Sequence, residues 1–153
     1  MGGLDESVLQ QVYDDRLRLT PGAEVLITAA KQHGIKLLLV SGGFAFFTQR
    51  LKSRLGIDFA YSNVLEIIAG KITGRVTGPL CDADGKARHL NETAAVLSLP
   101  PERCIAIGDG ANDLKMMRLA GLSIAYHAKP VVQAEASVAI NCLGLDAVVA
   151  LFA

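Results

Sequence analysis

Two short apolar segments, each ending at a glycine-rich loop, constrain the fold of this chain more than any other feature. The segment from Ile35 to Val40 runs into Ser-Gly-Gly, and the segment from Cys104 to Ile107 runs into Gly-Asp-Gly. Runs of this kind are typical of strands that are buried on both faces of a parallel sheet. Helical patterns alternate with them, which predicts an α/β fold with helices on both faces of a mostly parallel sheet.

The remaining elements follow from hydrophobic periodicity and from residues that start or stop helices. Thr20 and Pro21 predict the N-cap and first position of a helix that ends near Gly34. A β-hairpin is expected around Ala69 and Gly70. Further helices are expected at about 5–18, 44–55, 86–99, 111–120, 131–136 and 144–152, and further strands at about 122–126 and 138–141.

Composition narrows the possible functions. The 153 residues suit a single domain, 1–153, and 51% of them are hydrophobic. Fifteen basic residues balance fifteen acidic ones without a basic stripe, which argues against a nucleic-acid surface. Three cysteines without C-x-x-C spacing indicate neither a disulfide framework nor a zinc site. We expect a cytoplasmic protein without a membrane segment.

The Ser-Gly-Gly sequence is the first candidate site. Ser41 offers a hydroxyl, and Gly42 and Gly43 let backbone N–H groups approach an anion, so the loop could seat a phosphate. The alternative is a tight turn in which Ser41 caps the following helix.

The sequence Gly-Asp-Gly-Ala-Asn-Asp, residues 108–113, is the second candidate site. Asp109 would lie at the end of a strand and Asp113 near the first turn of a helix, so both carboxylates could face one point. Paired carboxylates beside backbone groups suit Mg²⁺, which leaves coordination positions for water and phosphate. Alternatively, Asp109 caps the turn and Asp113 only complements the helix dipole. Lys86 is a third candidate, with an ordinary surface lysine as its alternative.

These three motifs, with the later Ala-Tyr-His-Ala-Lys-Pro segment at 125–130, resemble the haloacid dehalogenase superfamily and, within it, the branch that acts on phosphoserine. The resemblance implies a Rossmann-like sheet, Mg²⁺ as cofactor and hydrolysis of a small phosphorylated metabolite. It implies that substrate is bound by Ser41, Gly42, Gly43, Lys86 and Asn112, that Mg²⁺ is held by Asp109 and Asp113, and that the catalytic residues are Lys86, Asp109 and Asp113.

One departure from that family is large. Its D-x-D-x-T/V motif, which ends an apolar first strand and supplies the nucleophile and the general acid/base, has no counterpart in this sequence. Residues 4–19 resemble the last part of the family's helical cap. The single D-x-D, Asp82-Ala83-Asp84, follows Gly-Pro-Leu-Cys and is expected to be a solvated loop.

The first central strand of the sheet is therefore expected to be absent. Either the sheet closes up, which would bring Ser41 closer to Asp109, or a second chain contributes, and we favour a homodimer or an exchange of elements. Three functions stay open: a Mg²⁺-dependent phosphatase with weak or altered activity, an inactive chain that binds phosphate or a partner, and one part of a split enzyme. In an active chain, either a water or one of the two aspartates would attack phosphorus.

Overall fold

The computed structural model describes residues 2–152. The helices are α1 (Ser7–Arg16), α2 (Ala23–Gln32), α3 (Ala45–Leu55), α4 (Ala83–Val96), α5 (Leu114–Leu119) and α6 (Pro130–Glu135). The strands are β1 (Leu38–Phe44), β2 (Phe59–Ile68), β3 (Lys71–Thr77), β4 (Ile105–Gly108), β5 (Leu122–Tyr126) and β6 (Val138–Ile140). Short 3₁₀ helices cover Pro101–Arg103, Ala111–Asp113 and Leu145–Phe152.

The strands form two separate sheets of three strands each, in the orders β1-β2-β3 and β4-β5-β6. Strands β1 and β2 are parallel, β2 and β3 form the predicted antiparallel hairpin, and the second sheet is parallel throughout. The α/β architecture with parallel strands is thus confirmed. Within the described residues, no helix is long and apolar enough to cross a membrane.

The two sheets do not close up against each other, so the first of the two alternatives is wrong, and the favoured one, a contribution from a second chain, stays a prediction. In residues 2–152, β1 pairs with β2 alone and β4 pairs with β5 alone, which leaves one edge of each strand without a partner strand. A groove of about 640 Å³ lies between these edges. Apolar side chains from the helices line this groove.

The packed core lies mainly on the side of β4. Its buried members are Leu90, Ala106, Leu114, Met116, Met117, Ala125 and Val132, which come from α4, β4, α5, β5 and α6. The partly buried side chains of Leu38 and Val40 pack against this cluster from β1. Strand β1 is therefore joined to the second half of the molecule through helix α4 and side-chain packing.

Two helix starts differ from the sequence prediction. Helix α2 begins at Ala23 with Gly22 as its N-cap, because Thr20 and Pro21 form a turn closed by the hydrogen bond from the Ala23 N–H to the Thr20 carbonyl. Helix α4 begins at Ala83, earlier than predicted, because the Asp82 carboxylate accepts a hydrogen bond from the Gly85 N–H and caps the helix. Residues 82–84 are therefore a helix start and not a loop.

Candidate active site

The Ser-Gly-Gly sequence lies inside β1, which runs on to Phe44, and not in a turn after it. Its pairing with β2 is irregular between Val40 and Phe44, where the two glycines loosen the ladder. Helix α3 begins at Ala45 without a side-chain cap, so the alternative role of Ser41 as a helix cap is wrong. The Ser41 Oγ accepts a hydrogen bond from the Gly43 N–H at 3.0 Å, which fixes the hydroxyl over the strand end.

Asn63 on β2 fixes this strand end and was not found by sequence reasoning. Its Nδ2 donates to the Gly42 carbonyl at 2.8 Å, and its Oδ1 accepts from the Cys81 N–H at 2.8 Å. The side chain therefore ties the end of β1 to the segment that leads into α4. An asparagine within a strand-like run carries no sequence signal for such a role.

Lys86 and Asp113 form a buried ion pair at the centre of the site. The Lys86 Nζ lies 2.7 Å from the Asp113 Oδ1, and the two side chains are only 9% and 8% exposed. Helix α4 carries the lysine, and the 3₁₀ turn after β4 carries the aspartate. Lys86 is therefore not an ordinary surface lysine.

The second oxygen of Asp113 organises the loop that precedes it. The Asp113 Oδ2 accepts hydrogen bonds from the backbone N–H groups of Asp109 and Gly110, each at 3.1 Å. A Cβ on Gly108 would stand 2.5 Å from the Asp113 Cβ, so only glycine leaves room for this packing. With Lys86 on its other oxygen, Asp113 is bound by three donors and does more than complement a helix dipole.

Asp109 and Asn112 carry the exposed polar side chains of the same loop. Within residues 2–152, neither side chain makes a hydrogen bond to the protein. The Asp109 backbone is nevertheless held, because its N–H binds Asp113 and its carbonyl accepts from the Lys129 N–H at 3.4 Å. The loop thus presents a free carboxylate and a free amide on a fixed backbone.

The D-x-D sequence lies beside the site without joining it. Asp82 caps α4, and Asp84 pairs with Lys115 at 2.6 Å with both side chains well exposed. Neither carboxylate contacts Lys86 or Asp113 in the described residues. These two aspartates support helix α4 and the start of α5.

Cys81 is buried and its backbone N–H binds Asn63. Burial raises the pKa of its thiol, and a hydrogen bond from the Ser41 backbone and the charge of Lys86 only partly oppose this effect. The thiolate is the nucleophilic form of cysteine, so a raised pKa makes Cys81 a packing residue and a poor nucleophile.

The structure directly joins Lys86, Asp109, Gly110 and Asp113 through hydrogen bonds. In the described residues no hydrogen bond joins Ser41 or Gly42 to this group; Asn63 links Gly42 to Cys81, which precedes helix α4. No group of three or more His, Cys, Asp or Glu side chains that could hold an ion occurs in residues 2–152. Mg²⁺, however, commonly uses only one or two carboxylates and fills its shell with water and substrate. The free Asp109 carboxylate next to Asp113 fits that need.

Known proteins that resemble this chain in sequence fall in one family of hydrolases. Residues 2–118 match the family model for haloacid dehalogenase-like hydrolases. A phosphoserine phosphatase of Polaromonas is 53% identical over 148 residues, covering 94% of this chain and 63% of that protein. A phosphoserine phosphatase of Archaeoglobus fulgidus is 45% identical over 152 residues, covering 97% and 44%.

Solved structures agree with the sequence relatives. The unliganded crystal structure of a probable phosphoserine phosphatase from Vibrio cholerae matches with a TM-score of 0.92 and 42% identity, over 97% of this chain and 46% of that one. A substrate-bound phosphoserine phosphatase complex matches with a TM-score of 0.92 and 33% identity, over 98% and 71%. The chain spans less than two thirds of the length of the curated relatives named here.

Proposed function

This chain belongs to the haloacid dehalogenase-like hydrolase family, and from that premise we propose that its site binds and hydrolyses a small phosphomonoester, with phosphoserine as the substrate. The observation that carries the proposal is the buried Lys86–Asp113 pair beside the exposed Asp109. The Lys86 ammonium, held in place by the buried Asp113 carboxylate, can bind the negatively charged oxygens of a phosphoryl group. The free Asp109 carboxylate beside it can hold a metal ion that neutralises the same charge.

Four groups of this chain would hold the phosphoryl oxygens. The Lys86 ammonium has three N–H donors, and Asp113 occupies one of them. The Ser41 Oγ accepts from the Gly43 N–H, so its own hydrogen is free to be donated. The exposed Gly42 backbone N–H and the exposed Asn112 amide would add further donors, and Gly43 would contribute by holding the Ser41 hydroxyl in place.

Mg²⁺ would be held by the Asp109 carboxylate, with Asp113 as a supporting neighbour that also positions the loop. Bound there, it would neutralise charge on the phosphoryl oxygens. Asp113 already accepts three hydrogen bonds, so its oxygens are engaged and are poorly placed to attack phosphorus. Asp109 is the carboxylate that stays available, either to attack phosphorus or to accept a proton from an attacking water.

The sequence lacks the family's D-x-D-x-T/V motif, so we expect a slow reaction. It also lacks most of the family's cap, so we expect an open site with a broad choice of substrates. The second candidate function is an inactive chain that binds phosphate or a partner chain, and the open groove between β1 and β4 favours it. The homodimer and the cytoplasmic location stay predictions, to be checked by the mass of the chain in solution and by its distribution in cells.

Phosphate release from phosphoserine by the purified chain tests the proposed function. We expect slow release in the presence of Mg²⁺ and none after the metal is removed with EDTA. Release that EDTA leaves unchanged would contradict the proposed role of Asp109. No release under either condition would exclude the hydrolase and leave the binding function, which a phosphoserine titration of the same sample would then examine.

A further inference from the structure

Three residues other than glycine have a positive φ in residues 2–152: Ala69 (50°), Ser98 (55°) and His127 (44°). This backbone region is strained for residues that carry a side chain, so each case needs a local cause. Ala69 forms the turn of the β2–β3 hairpin, and Ser98 follows the C-cap of α4, where a left-handed residue is usual. His127 belongs to neither kind of turn, because it directly follows β5, at the sheet end where Asp109 follows β4.

His127 is held in this conformation by two hydrogen bonds to the segment that follows β6. Its backbone N–H donates to the Ile140 carbonyl at 2.7 Å, and its Nε2 lies 2.8 Å from the Leu143 carbonyl oxygen. A carbonyl oxygen can only accept, so Nε2 carries the proton and donates. The ring also packs on Tyr126, with the ring centroids 4.3 Å apart. The imidazole therefore anchors the end of β5 to residues 140–143.

The segment after β6 is itself fixed, which makes it a firm anchor. The Leu145 N–H donates to the Pro21 carbonyl at 2.8 Å, and a Cβ on Gly144 would stand 2.8 Å from the same oxygen. The Asn141 Nδ2 donates to the Gln133 Oε1 at 3.1 Å. This segment is thus bound to the chain before α2 on one side and to helix α6 on the other.

The short loop that begins at His127 also supports the backbone of Asp109. The Lys129 N–H donates to the Asp109 carbonyl at 3.4 Å, and the Asp109 N–H binds Asp113. The Asp109 side chain is exposed and makes no hydrogen bond to the rest of residues 2–152, so its position depends on these two backbone contacts. Because His127 lies only two residues before Lys129, its backbone angles set where the Lys129 N–H points.

We propose that His127 is a positioning residue of the candidate active site. By donating its Nε2–H to Leu143 it keeps a strained backbone angle in place, and so aligns residues 127–129 with the carbonyl of Asp109. Asp109 is thereby held in position for a metal ion, and loss of a group that orients a metal ligand commonly weakens metal binding by about 10–100-fold. The metal part of this inference rests on the proposed function, whereas the backbone part does not.

Two substitutions at His127 separate the anchor from the backbone angle. Glutamine places an amide N–H at a reach similar to that of the His127 Nε2, so His127→Gln keeps the donor to Leu143. Asparagine tolerates a positive φ better than most residues, but its side chain is one bond too short for that contact. His127→Asn therefore keeps the backbone angle and loses the anchor. The control is His33→Asn, the same change at another exposed histidine, whose ring packs near Phe152.

Amide hydrogen exchange in the metal-free, isotopically labelled chain measures the backbone part. We expect His127→Asn to speed exchange of the Lys129 amide about fivefold, the factor that corresponds to the loss of one hydrogen bond. His127→Gln and His33→Asn should leave this rate unchanged. A Mg²⁺ titration of the same samples, followed through the Asp109 amide resonance, should then show about tenfold weaker binding for His127→Asn alone.

The proposal is overturned if His127→Asn leaves exchange of the Lys129 amide unchanged, or if His127→Gln speeds it as much as His127→Asn does. Faster exchange with an unchanged Mg²⁺ affinity also overturns it, since Asp109 would then not depend on this support. If the unaltered chain binds no Mg²⁺, the proposed function fails, and the exchange rates alone confirm or overturn the role of His127.

Discussion

Replacing Asp113 with alanine should lower the free energy of unfolding by about 3–5 kcal/mol, because the change leaves the buried Lys86 ammonium without its counter-charge. It also removes the acceptor of the Asp109 and Gly110 N–H groups, so the loop after β4 loses its fixed geometry. Urea unfolding followed by circular dichroism measures this change.

A second ion pair next to the site provides the control for this prediction. Lys115 and Asp84 approach to 2.6 Å, but their side chains are 52% and 76% exposed. Lys115→Ala should therefore lower the free energy of unfolding by less than about 1 kcal/mol. Lys86→Met combined with Asp113→Leu should be more stable than Asp113→Ala alone, since no buried charge is left unpaired. If Asp113→Ala and Lys115→Ala lower the free energy of unfolding equally, the Lys86–Asp113 pair is not buried as described.

Replacing Asp109 with asparagine should reduce Mg²⁺-dependent phosphate release from phosphoserine by about 10²-fold or more, because one charged group that acts on the phosphoryl centre is lost. The substitution should leave the free energy of unfolding almost unchanged. The Asp109 side chain is exposed and makes no hydrogen bond to the rest of residues 2–152, so little packing is lost. Initial rates and urea unfolding measured on the same preparations test both parts.

Asp84→Asn is the matched change for Asp109→Asn. It neutralises a nearby exposed carboxylate that belongs to the D-x-D sequence but does not contact the central pair. Its rate should equal that of the unaltered chain. If Asp109→Asn also keeps the full rate, Asp109 neither holds the metal nor acts on phosphorus, and the activity would have to be attributed to other residues.

The sequence predicted the parts of this molecule that depend on local patterns. Alternating strands and helices, the hairpin, and the loop from Gly108 to Asp113 could be found because apolar runs and glycine-rich strand ends are local signals. Lys86 and Asp113 were both singled out, yet neither pattern indicated their direct ion pair. That contact depends on how α4 packs against the turn after β4.

The features that the sequence did not predict depend on tertiary structure. Asn63 gains its role only because β2 lies beside the end of β1, and β1 continues through Ser-Gly-Gly because β2 pairs with it as far as Phe44. The separation of the two sheets is another such feature. The groove between the sheets is lined by residues of several elements that are distant in sequence, so no local pattern indicates it.

The most direct measurement of the central claim is a phosphoserine titration of the isotopically labelled chain, followed through its backbone amide resonances in the presence of Mg²⁺. The claim is that two loops distant in sequence, Ser41–Gly43 and Gly108–Gly110, form one phosphate site. It predicts that the amide signals of both loops shift together with a single affinity, while that of Asp84 does not shift. Shifts confined to one loop, or absent from both, would contradict it.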